Sequence, residues 1–120
     1  MAKYGLTNNL RLQTTWFIRG HEERLAEYRS LAWQSVEQDG QPKSTAPSDP
    51  TGIKAIRAAR LSDDIQAVEL ALEQLPDFYR EPVYANVVHR RPWPIGADRA
   101  TFYRYRRVFI HHVAKLKGWL

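Results

Sequence analysis

Apolar residues recur along most of this chain at the three- and four-residue steps of a helix, and rarely at the alternate positions of a strand. From Asn8 to Glu37, residues Leu12, Trp16, Leu25, Tyr28, Ala32 and Val36 keep to gaps that a 3.6-residue period allows. One long helix is predicted there, with Asn8 or Asn9 as its cap. Gly20 is its weak point, because glycine costs about 1 kcal/mol against alanine inside a helix. Residues 39–50 read DGQPKSTAPSDP, with three prolines and no large apolar side chain, which is a linker composition.

The clearest amphipathic run follows. Ile53, Ile56, Leu61, Ile65, Val68, Leu72 and Leu75 succeed one another at gaps of three, five, four, three, four and three. Ser48, Asp49 or Thr51 can cap this helix, and Leu75-Pro76 ends it, since proline disfavours helix in the residue before it. Between Asp77 and His89 the apolar set is Phe78, Val83, Tyr84, Val87 and Val88, with Pro82 among them. Two forms remain open: a turn followed by a helix from Pro82, or one kinked helix. Residues 89–97, HRRPWPIGA, read as a loop in which Trp93 is expected to plug the core. The last helix runs from Arg99 to Lys117 behind the N-cap Asp98. Its apolar line is Phe102, Tyr105, Phe109, Val113 and Leu116, and Gly118 stops it. The expected fold is all-α: a long N-terminal helix over residues 1–38, the linker over 39–50, and a helical domain over 51–120 that closes in a helix-turn-helix-like bundle.

Charge adds a direction to this pattern. The chain of 120 residues carries a net +5, but residues 1–78 hold nine Lys/Arg against eleven Asp/Glu, whereas residues 79–120 hold nine against two, Glu81 and Asp98. An asymmetry of this kind points to a polyanionic partner for the second half. With the apolar line of the last helix turned to the core, its other side presents Arg99, Tyr103, Arg104, Arg107 and His111, flanked by Arg106 and Lys115. Arginine there suits both base reading, through guanine O6 and N7, and phosphate clamping. Arg99, Thr101, Tyr103, Arg104 and Arg107 are the expected DNA contacts, and Arg90, Arg91 and Arg106 the expected phosphate holders.

Other chemistries find little support. The sequence has no cysteine, so cysteine-based zinc sites and disulfides are excluded. His111 and His112 are adjacent and point to different sides of a helix, so they lack the spacing of a helical metal pair. Asp63-Asp64 and Glu22-Glu23 read as solvated charge rather than an acid–base pair. No phosphate-cradling glycine loop or nucleophile motif is present. No catalytic role, metal or cofactor is expected. The first nine residues lack a signal-peptide pattern and no apolar stretch is long enough to span a membrane, so a cytoplasmic location is expected.

Two stretches carry a family resemblance. SDPTGIKAIRAARLSDDIQAVELALEQLPDFYR and ATFYRYRRVFIHHVAKLKGW resemble the RinA-like phage late transcriptional activators. The matching positions are Ser48-Asp49-Pro50-Thr51, Val68-Glu69, Leu75-Pro76 and Thr101-Phe102-Tyr103-Arg104-Tyr105-Arg106-Arg107. The likeness spans about Ser48 to Trp119. It implies a helix-turn-helix similar to the promoter-reading part of sigma factors, double-stranded DNA as partner, and contact with RNA polymerase. The N-terminal helix is then available for polymerase docking or for a homodimer. One departure stands out: where the family has a Trp-x-x-Ile-Ala-like helix, this chain has Trp93-Pro94-Ile95-Gly96-Ala97. A phage DNA-packaging protein similar to a terminase small subunit, or a helical protein-interaction module, are the alternative readings.

Overall fold

In a computed structural model of the chain, residues 4–37 and 50–120 are described, together with the side chains of 4–33 and 52–120. The linker 39–49 and the proposed caps Ser48 and Asp49 lie outside the described residues. Five helices and no strand occupy the rest: α1 (Asn8–Arg19), α2 (His21–Glu37), α3 (Pro50–Glu73), α4 (Asp77–His89) and α5 (Arg99–Leu116). The architecture is all-α. No helix among the described residues is long and apolar enough to cross a membrane.

The stretch expected to form one N-terminal helix is two. Gly20, at φ −84° and ψ 2°, ends α1, and its carbonyl accepts the Arg24 N–H of α2 at 3.1 Å. The Arg24 guanidinium folds back over this junction. Its Nη2 donates to the Phe17 carbonyl at 2.5 Å and its Cζ lies 3.9 Å from the Phe17 ring centre. A Cβ on Gly20 would sit 3.0 Å from that Nη2. The cap of α1 is Thr7, whose Oγ1 accepts from the Leu10 N–H, and not Asn8 or Asn9.

The buried face of α1 also departs from expectation. Leu12 and Trp16 are exposed, and Thr14, Thr15 and Ile18 point inward. Each threonine hydroxyl donates to a carbonyl four residues back, Thr14 to Leu10 and Thr15 to Arg11, both at 2.7 Å. With the hydroxyl satisfied inside its own helix, the methyl is free to pack, and burial costs little.

α2 and α3 run antiparallel, as Arg24 pairs with Asp64 and Glu27 with Arg57. Only the second half of α3 is core. Leu61, Ile65, Val68 and Ala71 are buried, as is Leu75 just beyond its end, while Ile53 and Ile56 near its start are 66% and 57% exposed. The amphipathic pattern is therefore continuous in sequence but partnered over only part of its length. Thr51 lies within α3 and does not cap it. The molecule is elongated, with extents of 59 × 29 × 20 Å.

α4 is one helix with Pro82 inside it. It ends in Arg90, which adopts φ +57°, while the Arg91 N–H donates to the Ala85 carbonyl at 3.2 Å. This closure usually employs glycine. α5 lies between α1, α3 and α4. Its Phe102, Val108, Phe109, Ile110 and Val113 join Ile18, Val68, Ala71, Leu75, Val83 and Val87 in a single cluster. Tyr105 is partly buried, and Leu116, placed on the core line by its spacing, is 49% exposed. Gly118, at φ +76°, stops α5 as expected. The Trp119 N–H reaches the Ala114 carbonyl and that of Gly118 reaches Lys115, the paired bonds of a Schellman closure. Trp119 then packs edge-on against Phe17, locking the chain end to α1.

Candidate nucleic-acid interface

The basic side chains sort by place. Apart from Asp98, every side-chain carboxylate of the described residues sits on α2, on α3 or in the first five positions of α4. There they meet Arg24, Arg57, Arg80, His89 and Lys117. Arg11 and Arg19 of α1, Arg90 and Arg91 after α4, and Arg99, Arg104, Arg106 and Arg107 of α5 make none of these ion pairs. Asp98 itself is occupied. Its Oδ2 accepts from the Thr101 N–H and Oγ1, both at 2.9 Å, and these bonds hold the carboxyl below its ordinary range.

Asp98 fixes where α5 begins, and so fixes the angle at which Arg99, Tyr103 and Arg107 emerge one turn apart. With Asp98 and Ala100 they line an open cleft of about 650 Å³. Trp93 stands beside two of its lining residues, Tyr103 and Arg99. Its ring stands 5.9 Å from that of Tyr103, and the Arg99 guanidinium lies 5.2 Å from the Trp93 ring centre and 5.7 Å from that of Tyr103. Trp93 is thus a surface aromatic that braces an arginine, and not a core plug. The expectation failed because prolines on both sides hold the tryptophan in a loop that never crosses the helix layers.

The loop between α4 and α5 has nine residues, 90–98, whereas a helix-turn-helix uses a turn of about three or four. Its one tight feature is a turn over Pro94–Ala97. The Ala97 N–H donates to the Pro94 carbonyl at 3.1 Å and Gly96 takes φ +90°, the third-position conformation of a type II turn. Ile95 is fully exposed at its tip.

Of the residues expected to contact DNA, Arg90, Arg91, Arg99, Arg104 and Arg107 are exposed. Tyr103 is half-buried at the cleft floor. Thr101 donates its hydroxyl to Asp98, so it serves the cap rather than the surface. Arg106 is half-buried, and its Nε donates to Asn86 Oδ1 at 2.8 Å. Asn86 went unnoticed in the sequence reading. Its Nδ2 also donates to the Arg91 carbonyl at 2.6 Å, so one amide ties the loop start and α5 together. No sequence signal marks it, because its partners lie five and twenty residues away. Arg11 and Arg19 were missed for a different reason: they belong to a part of the sequence whose net charge is negative, and only packing brings them to α5.

Five of these arginines, Arg11, Arg91, Arg99, Arg106 and Arg107, are linked to one another. Arg107 lines both the cleft and a smaller cavity that it shares with Arg11 and Arg106, and Asn86 links Arg106 to Arg91. No group of three or more potential metal ligands occurs among the described residues. No protein-family model, curated protein or solved structure matches the chain.

Proposed function

We propose that this chain binds double-stranded DNA through α5, the loop before it and the adjoining face of α1, as a transcriptional regulator of phage or prophage late genes. One observation carries the DNA reading: eight arginines of α1, the loop and α5 make no ion pair with a carboxylate among the described residues, while nearly all the described carboxylates lie on α2, α3 and the start of α4. Confining so much like charge to one side stores repulsion that a polyanion relieves, and neutralising phosphates also releases their counterions. On this reading Arg99, Arg104 and Arg107, all exposed, read bases or phosphates, and Arg90 and Arg91 hold the backbone.

The regulatory half of the reading rests on the likeness to RinA-like activators over Ser48–Trp119, which brings RNA polymerase as a second partner and the bacterial host cytoplasm as location. The test is a titration of promoter and scrambled duplexes at two salt concentrations. A regulator binds its site about 10³-fold or more tighter than random DNA. Equal affinity for both duplexes rules out sequence-specific regulation and leaves only general DNA binding.

A packaging role has its own observation. Trp33 on α2 and Ile53 and Ile56 on α3 are more than half exposed on the hairpin, as an oligomerising element requires. Solution mass separates the two: a large ring indicates packaging, a monomer or dimer regulation.

A further inference from the structure

Arg106 differs from the exposed members of the basic face because it is half-buried among other cations. Asn86 accepts from its Nε, and the remaining guanidinium N–H groups have no carboxylate among the described residues. Burial lowers its proton affinity. Tyr103 beside it opposes this, while Arg11 and Arg19 lower it further. Those two arginines are themselves held in place: Arg11 Nη2 donates to Asn8 Oδ1 at 2.7 Å, and Arg19 Nε to the Val87 carbonyl at 2.9 Å. Each is anchored through one nitrogen, which leaves the rest of its fork available.

Beside them lies a cavity of about 160 Å³ between α1, α5 and the segment leading into α1. Arg11, Arg106 and Arg107 supply its charge, and Tyr4, Leu6 and Ile110 are among its walls. Three arginines line one concave site, two of them fixed by hydrogen bonds, and guanidinium forks in such a site are the donor set of an oxyanion receptor. A carboxylate of the chain's own would neutralise the cluster, and α1, α5 and the loop offer none but the occupied Asp98. The flat alternative, a solvated basic face, has no need of a cavity or of bonds that anchor two of its arginines.

We propose that the Arg11–Arg106–Arg107 cavity binds one phosphate oxyanion, and that a backbone phosphate of duplex DNA supplies it. The identity of the source rests on the DNA reading above; the oxyanion site does not. On this view α1 is part of the interface, gripping the backbone to one side of the groove that α5 faces.

The test has two arms, each run on the wild type, Arg11→Gln, Arg107→Gln and, as a control of equal charge on the hairpin, Arg60→Gln. The first arm titrates inorganic phosphate against chloride of matched ionic strength and follows the melting temperature and amide NMR shifts. Phosphate is expected to stabilise the wild type and Arg60→Gln, with shifts centred on Leu6, Arg11 and Arg107. Arg11→Gln and Arg107→Gln should each bind about tenfold more weakly, the loss of one charge-assisted hydrogen bond. No phosphate effect beyond chloride in the wild type, or an equal effect in both cavity variants, overturns the site. The second arm measures duplex affinity against salt. Arg11→Gln is expected to lower the salt slope by about 1 and to weaken all sequences alike. A phosphate response without any DNA binding sinks the DNA reading and leaves a free-phosphate site. DNA binding that is indifferent to Arg11→Gln, with the phosphate response intact, removes the backbone as its source.

Discussion

Asn86 shows how much of the basic face depends on a single neutral side chain. Its oxygen holds Arg106 and its nitrogen holds the Arg91 carbonyl, so truncation releases a half-buried guanidinium and the loop start at once. Asn86→Ala should cost about 1–3 kcal/mol of stability, the range for stranding a partly buried donor, and should weaken DNA binding without removing any charge. Denaturant melts and a duplex titration check both, and an unchanged DNA affinity would show that the loop keeps its place unaided. His21 gives the fold part of its pH dependence. It is buried, with Nδ1 unpartnered, and burial is the main cause that holds its pKa below 6.5, with the Arg24 charge helping and Glu69 and Glu22 opposing. His111 and His112 are lowered as well, again chiefly by burial. The unfolded chain therefore takes up protons first as pH falls. Stability is fully present above the unfolded value of 6.5 and declines as pH drops through it toward the lower folded values. Melting temperature should fall on mild acidification, and His21→Gln should flatten that fall. A melting temperature that rises on acidification would mean that the imidazoles gain partners on folding.

At the scale of elements, the α1–α2 junction makes a prediction that the isolated peptide would not. Gly20 has a negative φ, so alanine is conformationally allowed there and by itself should stabilise by about 0.4–1 kcal/mol through the unfolded chain. The new Cβ, however, meets the Arg24 guanidinium at 3.0 Å and 3.3 Å, so the end of that flexible side chain must give by a few tenths of an ångström. Its hydrogen bond to the Phe17 carbonyl, of the charged-donor kind worth about 1.5–3 kcal/mol, is weakened rather than broken. The net expectation for Gly20→Ala is a change of less than about 1 kcal/mol in a denaturant melt, and a larger loss would mean that Arg24 cannot shift without leaving the Phe17 carbonyl. The same junction marks the limit of reading this fold from its pattern. α5, with its Asp98 cap and Gly118 stop, was legible because its signals are local and agree with one another. The inward face of α1 was not, since Thr14 and Thr15 count as polar until their hydroxyls are seen to bond within their own helix. Ile53 and Ile56 misled in the opposite sense: periodicity shows which face is apolar, never how much of it finds a partner. The candidate site divides likewise, with the arginines of α5 and its loop visible as a charge cluster and Arg11, Arg19 and Asn86 visible only after packing.

Across the whole molecule, charge is segregated more sharply than the two halves of the sequence suggest. Apart from Asp98, the carboxylates of the described residues lie on α2, α3 and the start of α4, where Arg24, Arg57, Arg80, His89 and Lys117 engage many of them. Lys117 illustrates the pairing: hydrogen bonding to Asp64 leads the causes that raise its pKa, and with Asp63 it ties the end of α5 to α3. The arginines of α1, the loop and α5 have no such relief. This separation turns a modest net charge into a strong local field, and it predicts how binding should respond to salt. Each phosphate neutralised contributes about −0.9 to the slope of log affinity against log salt. Replacing both Arg90 and Arg91 with glutamine should therefore make the slope shallower by about 2, with little change in stability because both are exposed. Arg57→Gln removes a cation that already has Glu27 as partner, and it should leave the slope as it was. If the two sets of variants lower the slope equally, association is governed by net charge alone and the arginine face has no special part in it. A slope that moves only with the face variants ties DNA binding to the surface that α1, the loop and α5 build together.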